Sequence, residues 1–336
     1  MTINRFIEIW IHRFHKIVDM ATSFWYFLKT SFLILFYKIT NPQKKLIGVI
    51  LAEHFGDIVA CEPLSREIKK IHPNSIVFWV VRKPFRELID SNPNIDVTIV
   101  EYSVFHSMLL ARYNGFSHLY NLHMPKLRIY PYTQTFLKNP YAETLGITVQ
   151  NYFQFGNLIE VFAQIAQLPL LNETPKVYIS SANKARVDTI RLPEKFIAIH
   201  CHSNYSPKDW QVYHWENLIG KLNEAGYQVV EVGLKSSINQ NLVGYTNCCG
   251  KFSLLETAEI IRRAQFFIGV DSGPAHLANA VGTYGLLLFG KFVNFENYLP
   301  YSGGYKTDNA TIISKKDSPC SGLSFDDVWT IVQQKI

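Results

Sequence analysis

Phe267-Ile268-Gly269-Val270-Asp271-Ser272-Gly273-Pro274-Ala275-His276-Leu277-Ala278-Asn279-Ala280, followed by Gly285-Leu286-Leu287-Leu288-Phe289-Gly290, spells strand, turn, helix and returning strand. Proline suits the first turn of a helix, where its missing N–H would have no partner anyway. Ser272 and Gly273 suit the cap position just before it. The first turn then offers backbone N–H groups and the positive end of the helix dipole, which together form an anion site. His276 falls in the same turn and can add a donor or a positive charge. The arrangement fits a diphosphate. An ordinary capped strand-to-helix turn, with Asp271 as the cap, would look the same here, so the rest of the chain has to arbitrate.

Outward from this stretch, strand and helix alternate. Toward the N-terminus lie an apolar strand over 196–200, a helix over 215–225 ended by Gly226, a strand over 228–232 ended by Gly233, and a helix over 254–264. A last helix is expected over 325–334. The earlier part of the chain reads similarly. Residues 46–52 form a short apolar run of buried-strand type. His54-Phe55-Gly56-Asp57 makes a turn, and a helix is expected over 58–71. Strand 75–81, short helix 84–91 and strand 97–100 complete a βαβαβ series, the signature of an open parallel sheet. The middle is less legible, with candidate strands at 118–122 and 177–180, a helix over 157–166 and a linker over 169–175. The resulting division is an N-terminal segment (1–43), a first αβ domain (44–172), a second (173–322) and a C-terminal helix (323–336). Two such domains in tandem place a ligand at the carboxyl ends of their strands, in the cleft between them.

Composition agrees. A chain of 336 residues suggests two domains of about 150 residues each. Its five cysteines form no CxxC pair, which points to a reduced, cytoplasmic protein. The net charge of +6 gathers at the N-terminus, where Arg5, Arg13, Lys16, Lys29, Lys38, Lys44 and Lys45 face only Glu8 and Asp19. The remainder is nearly balanced, so no nucleic-acid surface is indicated. The same segment holds Trp10, Phe14, Phe24, Trp25, Tyr26, Phe27, Phe32, Phe36 and Tyr37, and aromatics among lysines belong at a membrane–water interface. The apolar run 24–39 is too short to span and is broken by Lys29, Thr30 and Ser31. No signal-peptide cleavage site follows it. An interfacial helix on an anionic cytoplasmic leaflet is the expectation, with a helix packed on the first domain and a true membrane anchor as its rivals.

Four turns at strand ends carry polar chemistry. Asp57 is either a helix cap or a general base for an attacking hydroxyl. The loop after strand 196–200 offers His202, Ser203, Asn204, Ser206 and Lys208; it is either a solvated loop or a phosphate site in which the Lys208 point charge serves. Trp210 and Trp215 are expected to pack this loop. Gly233-Leu234-Lys235 could line a ribose or base. The fourth turn is Asp271–His276. No GxGxxG follows the first strand, and no Walker lysine, HExxH or DxD motif occurs, which argues against dinucleotide oxidoreductases, P-loop NTPases and DxD metal-dependent transferases.

With these turns in order the chain resembles glycosyltransferase family 9, the bacterial heptosyltransferases. The pattern D-[ST]-G-x-x-H-[LIVM]-A-x-A is met by Asp271, Ser272, Gly273, His276, Leu277, Ala278 and Ala280. Gly56-Asp57 and Lys208 before Trp210 match two further family positions. The resemblance implies a GT-B fold, α/β with two Rossmann-like domains, and an inverting displacement that requires no metal and no cofactor beyond the nucleotide-sugar donor, by default ADP-heptose. It implies a lipid-linked or lipopolysaccharide-type glycan as acceptor. By carry-over Asp57 is the base, while Lys208 and His276 neutralise the departing diphosphate. Ser272 and Gly273 bind that diphosphate, Asp271 contacts the sugar or positions the loop, and Ser203, Asn204 and Gly233 line the donor site. Three departures stand out: Glu53 where a basic residue is usual, Lys235 where an acidic one is expected, and Gly282-Thr283-Tyr284 where a proline is usual. A nucleotide-sugar epimerase and a silent sugar-nucleotide-binding module are the rival readings.

Overall fold

The computed structural model describes residues 3–295 and 298–336. The chain forms two compact units. The first runs to Glu53 and adds Ser65–Tyr152 and Gln164–Leu168; the second takes His54–Leu64, Phe153–Ala163 and Pro169–Ile336. The turn carrying Asp57 therefore belongs to the second unit.

In the first unit β1 (Lys45–Ile50), β2 (Ser75–Arg82), β3 (Val97–Glu101) and β4 (His118–Asn121) form one parallel sheet in the order β3-β2-β1-β4. Val49 lies between Trp79 and Tyr120. The central strands β1 and β2 are apolar without alternation because both faces are covered, and Ile47, Val49, Val77, Phe78 and Val80 are wholly buried. A small antiparallel ribbon joins β5 (Ile129–Tyr130) to β6 (Thr135–Phe136).

In the second unit β7 (Phe196–His200), β8 (Gln228–Glu231), β9 (Tyr245–Asn247), β10 (Phe267–Val270), β11 (Gly285–Phe289) and β12 (Ala310–Ser314) form a parallel sheet in the order β12-β11-β10-β7-β8-β9. Counted from β7, this is the doubly wound order 3-2-1-4-5-6, and its direction reverses between β7 and β10.

The structure corrects the expectations in places. The helix expected over 58–71 is two helices, Phe55–Ala60 and Glu62–Ile71. Pro63 explains the restart, since it cannot donate within a helix and sits instead in the first turn of the second. Residues 177–180 are not a strand but lead to the helix Ser181–Asp188, opened by Ser180 and Asn183 in reciprocal capping. Gly282 adopts φ +78° and ends the helix Gly273–Val281, a left-handed cap that suits glycine.

The N-terminal helix, Ile3–Thr40, is part of the first unit's core. Ile34 is wholly buried against Leu46, Ile76 and Phe78. Tyr130 donates its hydroxyl to Asp19 (2.7 Å), Ser23 bonds Ser103 (2.7 Å), and Thr30 meets His106 Nε2 (3.3 Å). Tyr26 stacks on Tyr102, and Tyr37 meets Phe78 edge-on. Among the described residues, no helix is long and apolar enough to cross a membrane.

Candidate active site

β7 and β10 are neighbours, with Gly269 level with His200. The loops leaving these two strands therefore emerge side by side at the carboxyl edge of the sheet, at the switch point where α/β proteins bind ligands. After β7 the chain makes a short 3-10 turn, Ser206–Lys208. After β10 comes Asp271. Lys208 Nζ lies 2.5 Å from Asp271 Oδ2. Two phenols complete the carboxylate: Tyr298 donates to Oδ2 at 2.8 Å and Tyr301 to Oδ1 at 2.9 Å. Burial alone would raise the Asp271 pKa, but Lys208 outweighs it and holds the group below its usual range. The Lys208 ammonium also sits 3.9 Å from the centre of the Phe292 ring, a cation–π contact.

Asp271 is not the helix cap. That position is held by Ser272, whose hydroxyl turns back to the Val270 carbonyl (3.1 Å) and caps nothing. The positive end of the helix Gly273–Val281 therefore carries no side-chain cap of its own, which suits an incoming anion. His276, buried in its first turns, lies 4.6 Å from Tyr301, ring to ring. Burial lowers its pKa to about 4, against the pull of Asp271 and Asp57. The imidazole is neutral near pH 7, so of the two roles open to it, donor or cation, the uncharged one remains. Its Nδ1 is buried and has no hydrogen-bond partner among the described residues.

The Asp57 turn packs directly on this helix. A Cβ on Gly273 would fall 1.9 Å from Phe55 Cζ, and one on Gly56 would fall 3.0 Å from His276 Cδ2. Both glycines are there because the two helices approach so closely. Asp57 Oδ2 accepts the His54 backbone N–H at 3.2 Å. A carboxylate has about four acceptor positions, so this bond leaves it able to take a proton. Cap and base are compatible roles.

The remaining predicted residues are spread more widely. Ser203 spends its hydroxyl within the loop, on the Tyr205 carbonyl (2.8 Å), and gives its N–H to Asp209 (2.7 Å). Asn204 is exposed. Gly233 lies just past β8, on the side of β7 away from β10; its φ of +143° and the His200 ring, 2.8 Å from where a Cβ would lie, both require glycine. Trp210 and Trp215 are buried as expected, with Trp210 Nε1 bonded to the Leu323 carbonyl (2.9 Å). Glu53 is accounted for in the first unit. It pairs with Arg82 (2.5 Å) and with the buried Arg128 (2.8 Å), which also grips Glu101 through both terminal nitrogens (2.7 and 2.6 Å).

Tyr298, Tyr301, Phe292 and Asp209 were missed from sequence. A signal existed for three of them, since Phe292, Phe295, Tyr298 and Tyr301 recur every third residue after β11. Asn279 holds that segment on the helix, donating to the Ser302 carbonyl (3.0 Å) and accepting from the Tyr305 N–H (3.2 Å).

Two Rossmann-like parallel sheets with a free helix end at the switch point of the second define the GT-B class of fold. The family model for glycosyltransferase family 9 (heptosyltransferase) matches residues 120–320, more than half of the chain. The protein belongs to that family and is a glycosyltransferase. It is 22% identical to lipopolysaccharide heptosyltransferase 1 of Campylobacter coli over 86% of this chain and 98% of that one. Among solved structures it resembles the family 9 glycosyltransferase of Veillonella parvula DSM 2008, with a TM-score of 0.66, 18% identity, and coverage of 87% of this chain and 97% of that one. It likewise resembles the E. coli ADP-heptose lps heptosyltransferase II, with a TM-score of 0.60, 18% identity, and coverage of 87% and 98%.

Proposed function

We propose that this glycosyltransferase moves a heptose or related sugar, with inversion, from a nucleotide-diphosphate donor to a lipopolysaccharide-type or other lipid-linked glycan. ADP-heptose is the default donor, as the name of the E. coli relative suggests. One observation carries the reading: the Lys208–Asp271 pair stands beside an uncapped helix end onto which the Asp57 turn is packed. In the proposed step the acceptor hydroxyl oxygen attacks the anomeric carbon as the bond from that carbon to the diphosphate oxygen breaks. The hydroxyl proton goes to the Asp57 carboxylate. The charge left on the diphosphate is met by Lys208 and by N–H groups at Ser272 and Gly273, with His276 as an uncharged partner. Fixed donors aimed at a developing charge supply most of such catalysis, and with an ammonium and a helix end in place the scheme calls on no metal. Asp271 positions Lys208 and faces the donor sugar, while Ser203, Asn204 and Gly233 border the nucleotide.

The place of work is the cytoplasmic side of the inner membrane, at its anionic surface. The basic, aromatic N-terminal helix and the free thiols support this. Incubating the protein with a panel of sugar nucleotides and membrane extract tests the activity. Acceptor-dependent release of free nucleotide from ADP-heptose is expected. Release from no sugar nucleotide in the panel would refute it.

A further inference from the structure

The N-terminal helix has an inner and an outer face. One holds Ser23, Thr30 and Ile34 and is packed into the first unit. The other carries Trp10, Phe14, Trp25, Phe32, Phe36 and Ile39, each at least 54% exposed. At about 100° per residue these six fall within an arc of about 80°, directly opposite Ser23. The stripe runs about 44 Å along the helix at 1.5 Å per residue. A helix packed on a globular unit ordinarily turns a polar face outward, and an exposed apolar patch of this extent marks an interaction surface.

The charges bordering the stripe indicate what covers it. Arg13 and Lys29 lie along it, over the rings of Trp10 and Trp25 (5.3 and 5.1 Å to the centroids), and Lys38 follows near the helix end. Between residues 9 and 40 the only carboxylate is Asp19. It is on the inner side, bonded to Tyr130. A stripe of tryptophan and phenylalanine bordered by cations and free of carboxylates complements an anionic headgroup layer above hydrocarbon. A second copy of the helix would instead bring like charge to like charge.

We propose that this outer face is a lipid-docking surface: the helix lies flat in the headgroup region of an anionic bilayer, with Trp10, Phe14, Trp25, Phe32, Phe36 and Ile39 immersed and its inner face bolted to the first unit. The proposal rests on the peripheral location given above and adds the face that docks, its orientation and the balance of forces. Immersion of the stripe is not screened by salt, whereas attraction of Arg13, Lys29 and Lys38 is. Binding therefore weakens with salt without being abolished.

The test uses the full chain, sedimented with vesicles of phosphatidylglycerol and phosphatidylethanolamine, or of phosphatidylcholine alone, at low and high salt. The wild type is expected to pellet with the anionic vesicles and to lose part of that binding at high salt. F14S/F32S/F36S is expected to lose at least tenfold in partitioning, with its melting temperature and its calorimetric affinity for ADP unchanged. Brominated lipids should quench wild-type tryptophan fluorescence, and less so in W10F/W25F; this arm needs no folded triple variant. Wild type left in the supernatant at low salt overturns the proposal. So does equal binding by the serine variant, or a wild-type dimer that the variant converts to monomer without any vesicle effect. Absence of nucleotide release in the activity assay would strike the proposed function and leave these results standing.

Discussion

Lys208 and Asp271 stand 63 positions apart in the chain and 2.5 Å apart in space, with both side chains largely withdrawn from water. Breaking a buried pair by removing one partner typically costs about 3–5 kcal/mol, because the other charge is left uncompensated. Here Tyr298 and Tyr301 also hold the carboxylate, so the cost should be cushioned on one side. Asp271 keeps two donors if Lys208 leaves. In the proposed role, the ammonium can then turn to the diphosphate without stranding the acid.

Lys208→Met should therefore fold, and it should weaken nucleoside diphosphate binding more than nucleoside monophosphate binding. Calorimetry with ADP and AMP reads the difference. Equal losses for both would remove Lys208 from the β-phosphate.

Tyr301→Phe keeps the ring against His276 and deletes the hydrogen bond to Asp271. A loss of about 1–3 kcal/mol of stability is expected from the under-satisfied carboxylate, together with a fall in kcat/KM. Denaturant unfolding and steady-state kinetics measure the two. A variant indistinguishable from wild type in both would show that Lys208 and Tyr298 suffice to hold Asp271.

Asp57→Asn and Asp57→Ala should both lower turnover by about 10²–10⁴-fold, the range of general base catalysis. They should part in stability, since the amide oxygen can still accept the His54 N–H and alanine cannot. Near-normal turnover in either would reduce Asp57 to its capping role.

Gly273→Ala places a methyl group where the Phe55 ring stands. Overpacking of this kind costs about 1–3 kcal/mol, and activity should fall as the Asp57 turn is pushed off the helix. Phe55→Ala in the same chain should restore part of the loss, a coupling that a double-mutant cycle reads directly. Strictly additive losses would mean that the two sites do not touch in solution.

His276 should make the fold acid-sensitive. Its pKa is about 4 in the folded protein against about 6.5 unfolded. Below 6.5 the unfolded chain takes the proton more readily, so the stabilisation present above pH 6.5 is lost as pH falls toward 4. His106, also held at about 4 by burial, adds a similar slope. His276→Gln should flatten the dependence of unfolding free energy on pH between 6.5 and 4.5 without removing it. An unchanged slope would mean that His276 titrates normally.

Most of the second unit was legible because its strands are local statements. Residues 196–200, 228–231, 267–270 and 285–289 are largely apolar runs, and a parallel strand buried on both faces needs little else. β9 and β12 were missed because they lie largely outside the core at the sheet's edges, and β9 is only three residues long. The helix Ser181–Asp188 was missed because its polar residues show no apolar stripe. For the N-terminal segment the sequence leaves surface helix, packed helix and membrane anchor open. The packed face is present, and it leaves the opposite face exposed.

The order of strands and helices, the family pattern around Asp271 and the chemical kinds of residue at each turn follow from the sequence by itself, since each depends on neighbours within a few positions. What it could not show is that Tyr298 and Tyr301 would reach back to Asp271, that His276 would lose its charge to burial, or that the Asp57 turn would close on Gly273. Those depend on which strand lies beside which and on how tightly two helices approach. Burial and the pairing of distant charges are properties of the assembled chain, so the tertiary structure alone decides them.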